Sequence, residues 1–315
     1  YFAKLPWALI FFPSSLVISQ FRNYWKDSLY MVQLNQIHQI LKQDEEKLLL
    51  KNNLSFRVIE SPTILLTLNG YHNYYHWHIN VLPGALELKD QINSGKFKVI
   101  SHPLKEWQKV SLQMLGIDVS VIEEVDRETI LCRFMIYSYS LSSIAYRPPK
   151  TIKSVFETIK NNIFTHKNEG FEVSSNFIFI SREDSPNRRK LLNETEVYHS
   201  LKSKGFVKVI PGDLPYEKQV QCFSSAKIIV AQHGAGLTNI GFAPSGCKVI
   251  EILSENYLNE CYWRLTQALE HQYAYIIAEV SKEKQKQSLD PRYRHKVAFS
   301  APVNPIVHAV NRSFC

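Results

Sequence analysis

The sequence predicts the α/β class, with two lobes each built on a parallel sheet, and three observations carry that reading. Short apolar runs alternate with stretches of helical periodicity along most of the chain, as parallel strands joined by covering helices do. The alternation breaks at Arg147-Pro148-Pro149-Lys150, a stiff polar stretch, and 315 residues suffice for two domains of ordinary size. The apolar run Lys227-Ile228-Ile229-Val230 ends in Ala231-Gln232-His233-Gly234-Ala235-Gly236-Leu237-Thr238-Asn239. A buried strand that meets a glycine-rich turn and opens into a helix is a place to hold phosphate. Small residues admit the ligand, and the first N–H groups of the helix point at it.

In the first lobe, residues 1–150, Leu5 to Ile18 is apolar but broken by Pro6 and Pro13. It reads as a first strand and loop, or as the remnant of something upstream. Tyr24 to Lys51 reads as a helix and Thr63 to Leu68 as a strand. Tyr71 to Asn93 reads as a loop entering a helix that Pro83-Gly84 bends. Strands are predicted at Phe97 to Ile100, Val119 to Ile122 and Ile130 to Tyr137, with a helix at Glu106 to Leu115.

In the second lobe, residues 151–280, a helix from Ile152 to about Lys167 leads to the strand Asn176 to Ser181, which delivers Arg182 at its C-terminal end. Arg188 and Arg189 lie in the polar loop beyond it. Asn193 and Glu196 fit a capping box at the next helix. Then come the strand Val207 to Ile210, the helix Pro215 to Ser225 and the strand before the glycine turn. The strand Lys248 to Ile252, a helix from about Leu258 to His271 and the strand Tyr273 to Ile277 complete the lobe. Ligands of such sheets bind at the carboxyl ends of the strands, where Arg182 and His233-Gly234 both fall.

Composition narrows the function. Hydrophobic residues make up 45% of the chain, yet no run of 18 or more exists, which excludes a membrane-spanning helix from the predicted elements. The formal charge is +8, and the segment 281–315 holds seven basic residues against Glu283 and Asp290. That segment is either a solvated tail, a surface for an anionic membrane, or a return of the chain onto the first lobe. No helix-turn-helix, zinc or aromatic-basic signature accompanies the charge, so nucleic acid is not an expected partner. Cys132, Cys222, Cys247, Cys261 and Cys315 match no zinc spacing and read as scattered free thiols. They suit a reducing compartment, which favours a bacterial cytoplasm or the inner face of its membrane over a Golgi lumen.

Several motifs in order carry a resemblance. Asn73-Tyr74-Tyr75-His76-Trp77 with Leu82-Pro83, then Ile180-Ser181-Arg182, Arg188-Arg189, Asn193-Glu194, Gln219, the His233 to Asn239 turn and Glu251 together resemble glycosyltransferase family 61. The likeness runs over roughly two thirds of the chain, from Tyr71 to Tyr275. It implies a GT-B-like architecture with two Rossmann-like lobes around an interdomain cleft. It implies inverting transfer of a sugar, such as xylose, arabinose or N-acetylglucosamine, from a nucleotide donor that is most often UDP-linked. The acceptor it implies is a glycan or lipid-linked glycan, as in polysaccharide synthesis. Relatives often carry an acid between the His-Trp pair and the Leu-Pro, where this chain has Asn80.

Each candidate residue has a chemical role and a plain alternative. A leaving diphosphate needs positive charge, and the planar fork of Arg182, with Arg188 or Arg189 second, supplies it. Gly234, Ala235 and Gly236 bring backbone N–H groups to phosphate, and Thr238 adds a hydroxyl. Asn239 either joins them or holds the turn together. His233 touches a phosphate or the donor sugar, or is a satisfied structural histidine. Glu251, an acid inside an apolar strand, pairs with an arginine or accepts from the ribose hydroxyls. His76 is the expected base, since its unperturbed pKa lies near neutrality. Tyr75, Trp77 and His78 beside it are the expected acceptor contacts. No Asp-x-Asp pair occurs, so arginine and helix end are expected to replace a metal, and no cofactor beyond the donor is expected.

Overall fold

The computed structural model describes residues 3–12, 16–18, 41–44, 47–50, 55–67, 70–137, 148–166, 176–185, 189–280 and 297–313. They fall into two compact units, Tyr1–Arg147 and Pro148–Cys315.

The first unit contains strands β1 (Ala3–Phe11), β2 (Leu16–Ile18), β3 (Leu41–Asp44), β4 (Lys47–Leu50), β5 (Arg57–Ile59), β6 (Thr63–Leu65), β7 (Lys98–Ser101), β8 (Ile122–Glu124) and β9 (Thr129–Tyr137). Its main sheet runs β2-β1-β9-β6-β7-β8, with β5 also beside β9. The strands β5 to β9 pair in parallel, but β1 lies antiparallel on both β2 and β9. The expected all-parallel sheet is therefore mixed. Alternation explains it: Ala8, Ile10 and Val17 are fully buried, and β1 gives the parallel core an edge cover without needing a crossover helix. The helix expected from Tyr24 to Lys51 is corrected over its described end, residues 41–44 and 47–50, which are strands. Residues 19–40 lie outside the described part, and β3 and β4 form an antiparallel pair. Helical turns follow at α1 (Tyr74–His76), α2 (Leu82–Glu87), α3 (Lys89–Asn93) and α4 (Glu106–Met114), with a π-helical turn, Trp77–Val81, between α1 and α2.

The second unit is a parallel sheet of β10 (Phe177–Ile180), β11 (Val207–Val209), β12 (Ile228–Gln232), β13 (Lys248–Ser254) and β14 (Gln272–Ala278), in the order β11-β10-β12-β13-β14. Strands buried on both faces read as continuous apolar runs, which is why Phe177-Ile178-Phe179-Ile180 and Ile228-Ile229-Val230-Ala231 fold this way. The helices are α5 (Pro149–His166), α6 (Glu194–Lys202), α7 (Tyr216–Phe223), α8 (Cys261–Ala268) and α9 (Val303–Ser313). On α5 the residues Ile152, Val155, Phe156, Ile159 and Ile163 recur at helical spacing and are all buried.

Where it is described, the C-terminal segment packs within the second unit. Val297, Phe299, Ala301, Ile306 and Val310 join Phe179, Val230 and Ile252 in the second unit's own core. Asn193 clips this segment in place, donating to Ala301 O at 2.9 Å and accepting from Ala301 N at 2.9 Å. That use of the side chain removes the predicted capping box, since Asn193 makes no cap bond to the helix backbone. The basic residues 282–296 lie outside the described part.

Candidate functional site

The order β11-β10-β12-β13-β14 reverses direction between β10 and β12. In an open parallel sheet the crevice outside the carboxyl ends of two such strands is the ligand site. Arg182 follows β10 and His233-Gly234 follow β12, so the sheet topology brings the two predicted motifs together. Arg182 Nη1 donates to His233 O at 2.7 Å across this crevice. Its guanidinium lies so close over Gly234 that a Cβ there would fall 2.5 Å from Nε and 2.6 Å from Cζ. Glycine at 234 is thus what lets the guanidinium lie there; its φ of 169° is ordinary extended backbone. The strand end itself is stapled: Ser181 Oγ donates to Glu194 Oε1 at 2.6 Å, and Lys208 pairs with Glu194 and Glu183.

After Gly234 the chain enters the expected helix, which is a 3₁₀ helix, Ala235–Phe242. Leu237 N donates to Gly234 O at 2.9 Å, so the helix begins with the N–H groups of Ala235 and Gly236, both partly exposed, as the donors a phosphate would meet. Thr238 and Asn239, also expected at the donor, are fully buried. Thr238 Oγ1 lies 3.4 Å from Tyr262 Oη, and Asn239 Nδ2 donates to Gly236 O at 3.0 Å and Gln219 Oε1 at 3.2 Å. Both hold the turn.

Within the protein, Glu251 pairs with a histidine and a tyrosine rather than with an arginine. It is fully buried in β13, with His233 Nδ1 2.5 Å from Oε1 and Tyr273 Oη donating to Oε2 at 2.6 Å. Burial and the adjacent carboxyl push the Tyr273 phenol far above its usual range. The ring of His233 sits between Tyr257 and Tyr262, at 5.3 and 5.2 Å between centroids, and Tyr262 Oη donates to Gly234 O at 2.7 Å. Nδ1 is committed to Glu251, so Nε2 is the atom that can face a ligand. Arg189, at φ 50°, stacks its guanidinium over Tyr257 at 4.5 Å and so joins the same cluster. Arg188 lies outside the described residues. Tyr257, Tyr262 and Tyr273 were not singled out in the sequence, because a lone tyrosine in a loop, a helix and an edge strand has no pattern.

In the first unit the aromatic-histidine motif follows β6. The chain steps from β6 outward to β7 and β8 and returns on the other side of β6 at β9, so this motif also leaves the sheet at a switch point. Asn73 caps α1 by accepting from Tyr75 N at 2.9 Å and His76 N at 3.4 Å. His76 is half-buried, with Nδ1 3.0 Å from Asn80 Oδ1; burial holds its pKa below 6.5, against the opposing effect of that bond. Tyr75 is partly exposed and meets His76 edge-on at 5.4 Å.

Trp77 and His78, the other expected acceptor contacts, are both fully buried. Trp77 Nε1 donates to Ser111 Oγ at 2.8 Å, and His78 Nδ1 bonds Tyr74 O at 2.8 Å while its ring lies parallel to Trp107. The π turn, closed by Leu82 N donating to Trp77 O, puts both side chains into the core. Burial pushes the His78 pKa down to about 4. An unfolded chain takes up at pH 6.5 a proton that the folded unit refuses. The stability this contributes is present above pH 6.5 and drains as pH falls towards 4, by roughly 3 kcal/mol in all. Urea denaturation of wild type and His78→Gln across that range checks it: the variant should lose most of the slope, and an equal slope in both would place the sensitivity elsewhere.

The chain matches the glycosyltransferase 61 family over residues 74–250, a span that takes in His76, Arg182 and the His233 turn. A β-1,2-xylosyltransferase of Oryza sativa subsp. japonica is 28% identical over 122 residues, covering 34% of this chain and 22% of that protein. The chain thus aligns with 22% of that relative's length. The matched span exceeds half of the 315 residues and holds both histidine motifs, and the chain belongs to the glycosyltransferase 61 family.

Proposed function

We propose that the protein is an inverting glycosyltransferase of the two-lobe GT-B type, moving a sugar from a UDP-linked donor to a glycan hydroxyl. The observation that carries this reading is the β10–β12 crevice, where Arg182 lies over Gly234 beside the open N–H groups of Ala235 and Gly236. A diphosphate bound there meets a fixed planar cation and backbone donors, and needs no divalent metal. His233, held by Glu251, presents Nε2 to the same anion. In the first unit His76 donates Nδ1–H to Asn80, which makes Nε2 the basic nitrogen. It takes the proton of the acceptor hydroxyl as that oxygen bonds to the anomeric carbon. The bond from that carbon to the diphosphate breaks on the opposite face, and its electron pair leaves on the phosphate oxygen.

The test is thermal shift with UDP and a panel of UDP-sugars, with and without chelator, on wild type and His76→Ala. Stabilisation by UDP in both proteins, indifferent to chelator, with diphosphate release lost by at least 100-fold in the variant, is the expected result. Because burial lowers the His76 pKa, wild-type turnover should hold to below pH 6.5 before it falls. Asn80→Asp should move that fall to higher pH, since a carboxylate there favours the imidazolium. Oligosaccharide binding without any nucleotide shift would instead support a carbohydrate-binding protein on this fold, the reading that the amide at Asn80 favours.

A further inference from the structure

The donor chemistry leaves one large feature of the second unit unused. Leu258, Asn259, Trp263, Tyr273, Tyr275 and Ile277 line an open trough of about 810 Å³. The cause is topological. β14 is the edge strand, its even residues Ile276 and Ala278 pack into the core, and its odd residues face a flank that α8 covers only in part. Leu258, Trp263, Tyr275 and Ile277 are 61, 45, 57 and 45% exposed. Large apolar side chains gathered in one exposed patch mark a binding surface.

We propose that this trough is an acceptor subsite for a neutral glycan chain, an inference that rests on the transferase reading above. Its chemistry fits that occupant. The negative faces of Trp263 and Tyr275 suit the weakly positive C–H face of a sugar ring, and Asn259 and Glu260 on the rim suit its hydroxyls. The charge fits as well. Glu260 pairs with Arg264, so the rim carries no net charge, which matches a neutral polyol and not a phosphate or an anionic lipid surface. The trough also shares residues and contacts with the donor cluster. Tyr273 forms part of its wall and bonds Glu251, which holds His233; Leu258 follows Tyr257, which packs on His233.

Tryptophan fluorescence titrations with xylohexaose, cellohexaose, mannohexaose and maltohexaose test it, on wild type, Trp263→Ala and Tyr275→Ala. At least one chain should give a saturable change in wild type. That change should vanish in Trp263→Ala, and Tyr275→Ala should bind at least 10-fold more weakly, with the UDP thermal shift unaltered in all three. Three results would overturn the proposal. No hexaose titrates at millimolar concentration; or UDP alone produces the Trp263-dependent change, which makes the trough a nucleobase site; or Trp263→Ala lowers the sedimenting mass, which makes it a contact between copies of the chain. Loss of the UDP shift in wild type with the hexaose titration intact would sink the nucleotide reading and leave the trough standing.

Discussion

Glu251→Gln is expected to lower diphosphate release by about 100-fold while the protein stays folded. The carboxyl group is fully buried and accepts on both oxygens, from Tyr273 Oη and His233 Nδ1. Glutamine keeps the volume but offers one acceptor and one donor. If its oxygen keeps Tyr273, its amide N–H₂ faces His233 Nδ1 and forces the ring into the tautomer with the proton on Nε2. The imidazole then loses the carboxyl group that orients it, and with it the placement of Nε2 at the crevice. Tyr273→Phe removes only the outer bond and should cost about 10-fold. Glu251→Ala is a different experiment. It strands Tyr273 and His233 inside the unit, at about 1–3 kcal/mol for each unpaired group, so it reports stability more than chemistry. Diphosphate release and urea denaturation of the three variants separate the two effects. Full activity in a folded Glu251→Gln would reduce the pair to packing.

The sequence made the second unit legible because its strands are buried on both faces. Apolar runs such as Phe177 to Ile180 and Ile228 to Ala231 leave no other reading, and the glycine turn after the second marks the carboxyl edge. It could not show that β10 and β12 are neighbours, and that adjacency is what brings Arg182 onto Gly234. Glu251 shows the same limit. An acid among valine and isoleucines announces a partner, but its partners are 18 and 22 residues away, a histidine just past the end of the neighbouring strand and a tyrosine on the edge strand. The first unit was read less well. His78 and Trp77 look like surface candidates beside His76, and a π turn, invisible to any 3.6-residue periodicity, carries them into the core. The strand β1 was ambiguous for another reason: Pro6 and Pro13 interrupt an apolar run, and only pairing with β9 decides that the run is a strand.

Gly234→Ala is expected to weaken UDP binding by about 10- to 100-fold with little change in stability. The backbone at Gly234 is extended, so alanine meets no conformational penalty there. The added Cβ would meet the side chain of Arg182, at 2.5 Å from Nε, 2.6 Å from Cζ and 2.7 Å from Cδ. An arginine side chain is flexible and can lift away, so the fold survives. The lifted guanidinium, however, gives up its bond to His233 O and its place over the crevice. The loss therefore passes through Arg182, and that makes the prediction sharp. Arg182→Ala should weaken UDP binding to a similar degree, and the double variant should bind no worse than Arg182→Ala alone, because the second change removes an arrangement already gone. Arg182→Lys should not restore affinity, since an ammonium cannot reproduce the planar fork. Gly236→Ala is the internal control. Its Cβ would meet the Pro211 ring at 3.2 Å and no arginine, so a shift of a few tenths of an ångström accommodates it. Calorimetric titration of UDP into the five variants decides the matter. Additive losses at Gly234 and Arg182 would mean that the glycine serves the ligand directly, by admitting it to the backbone, and that the arginine acts from elsewhere.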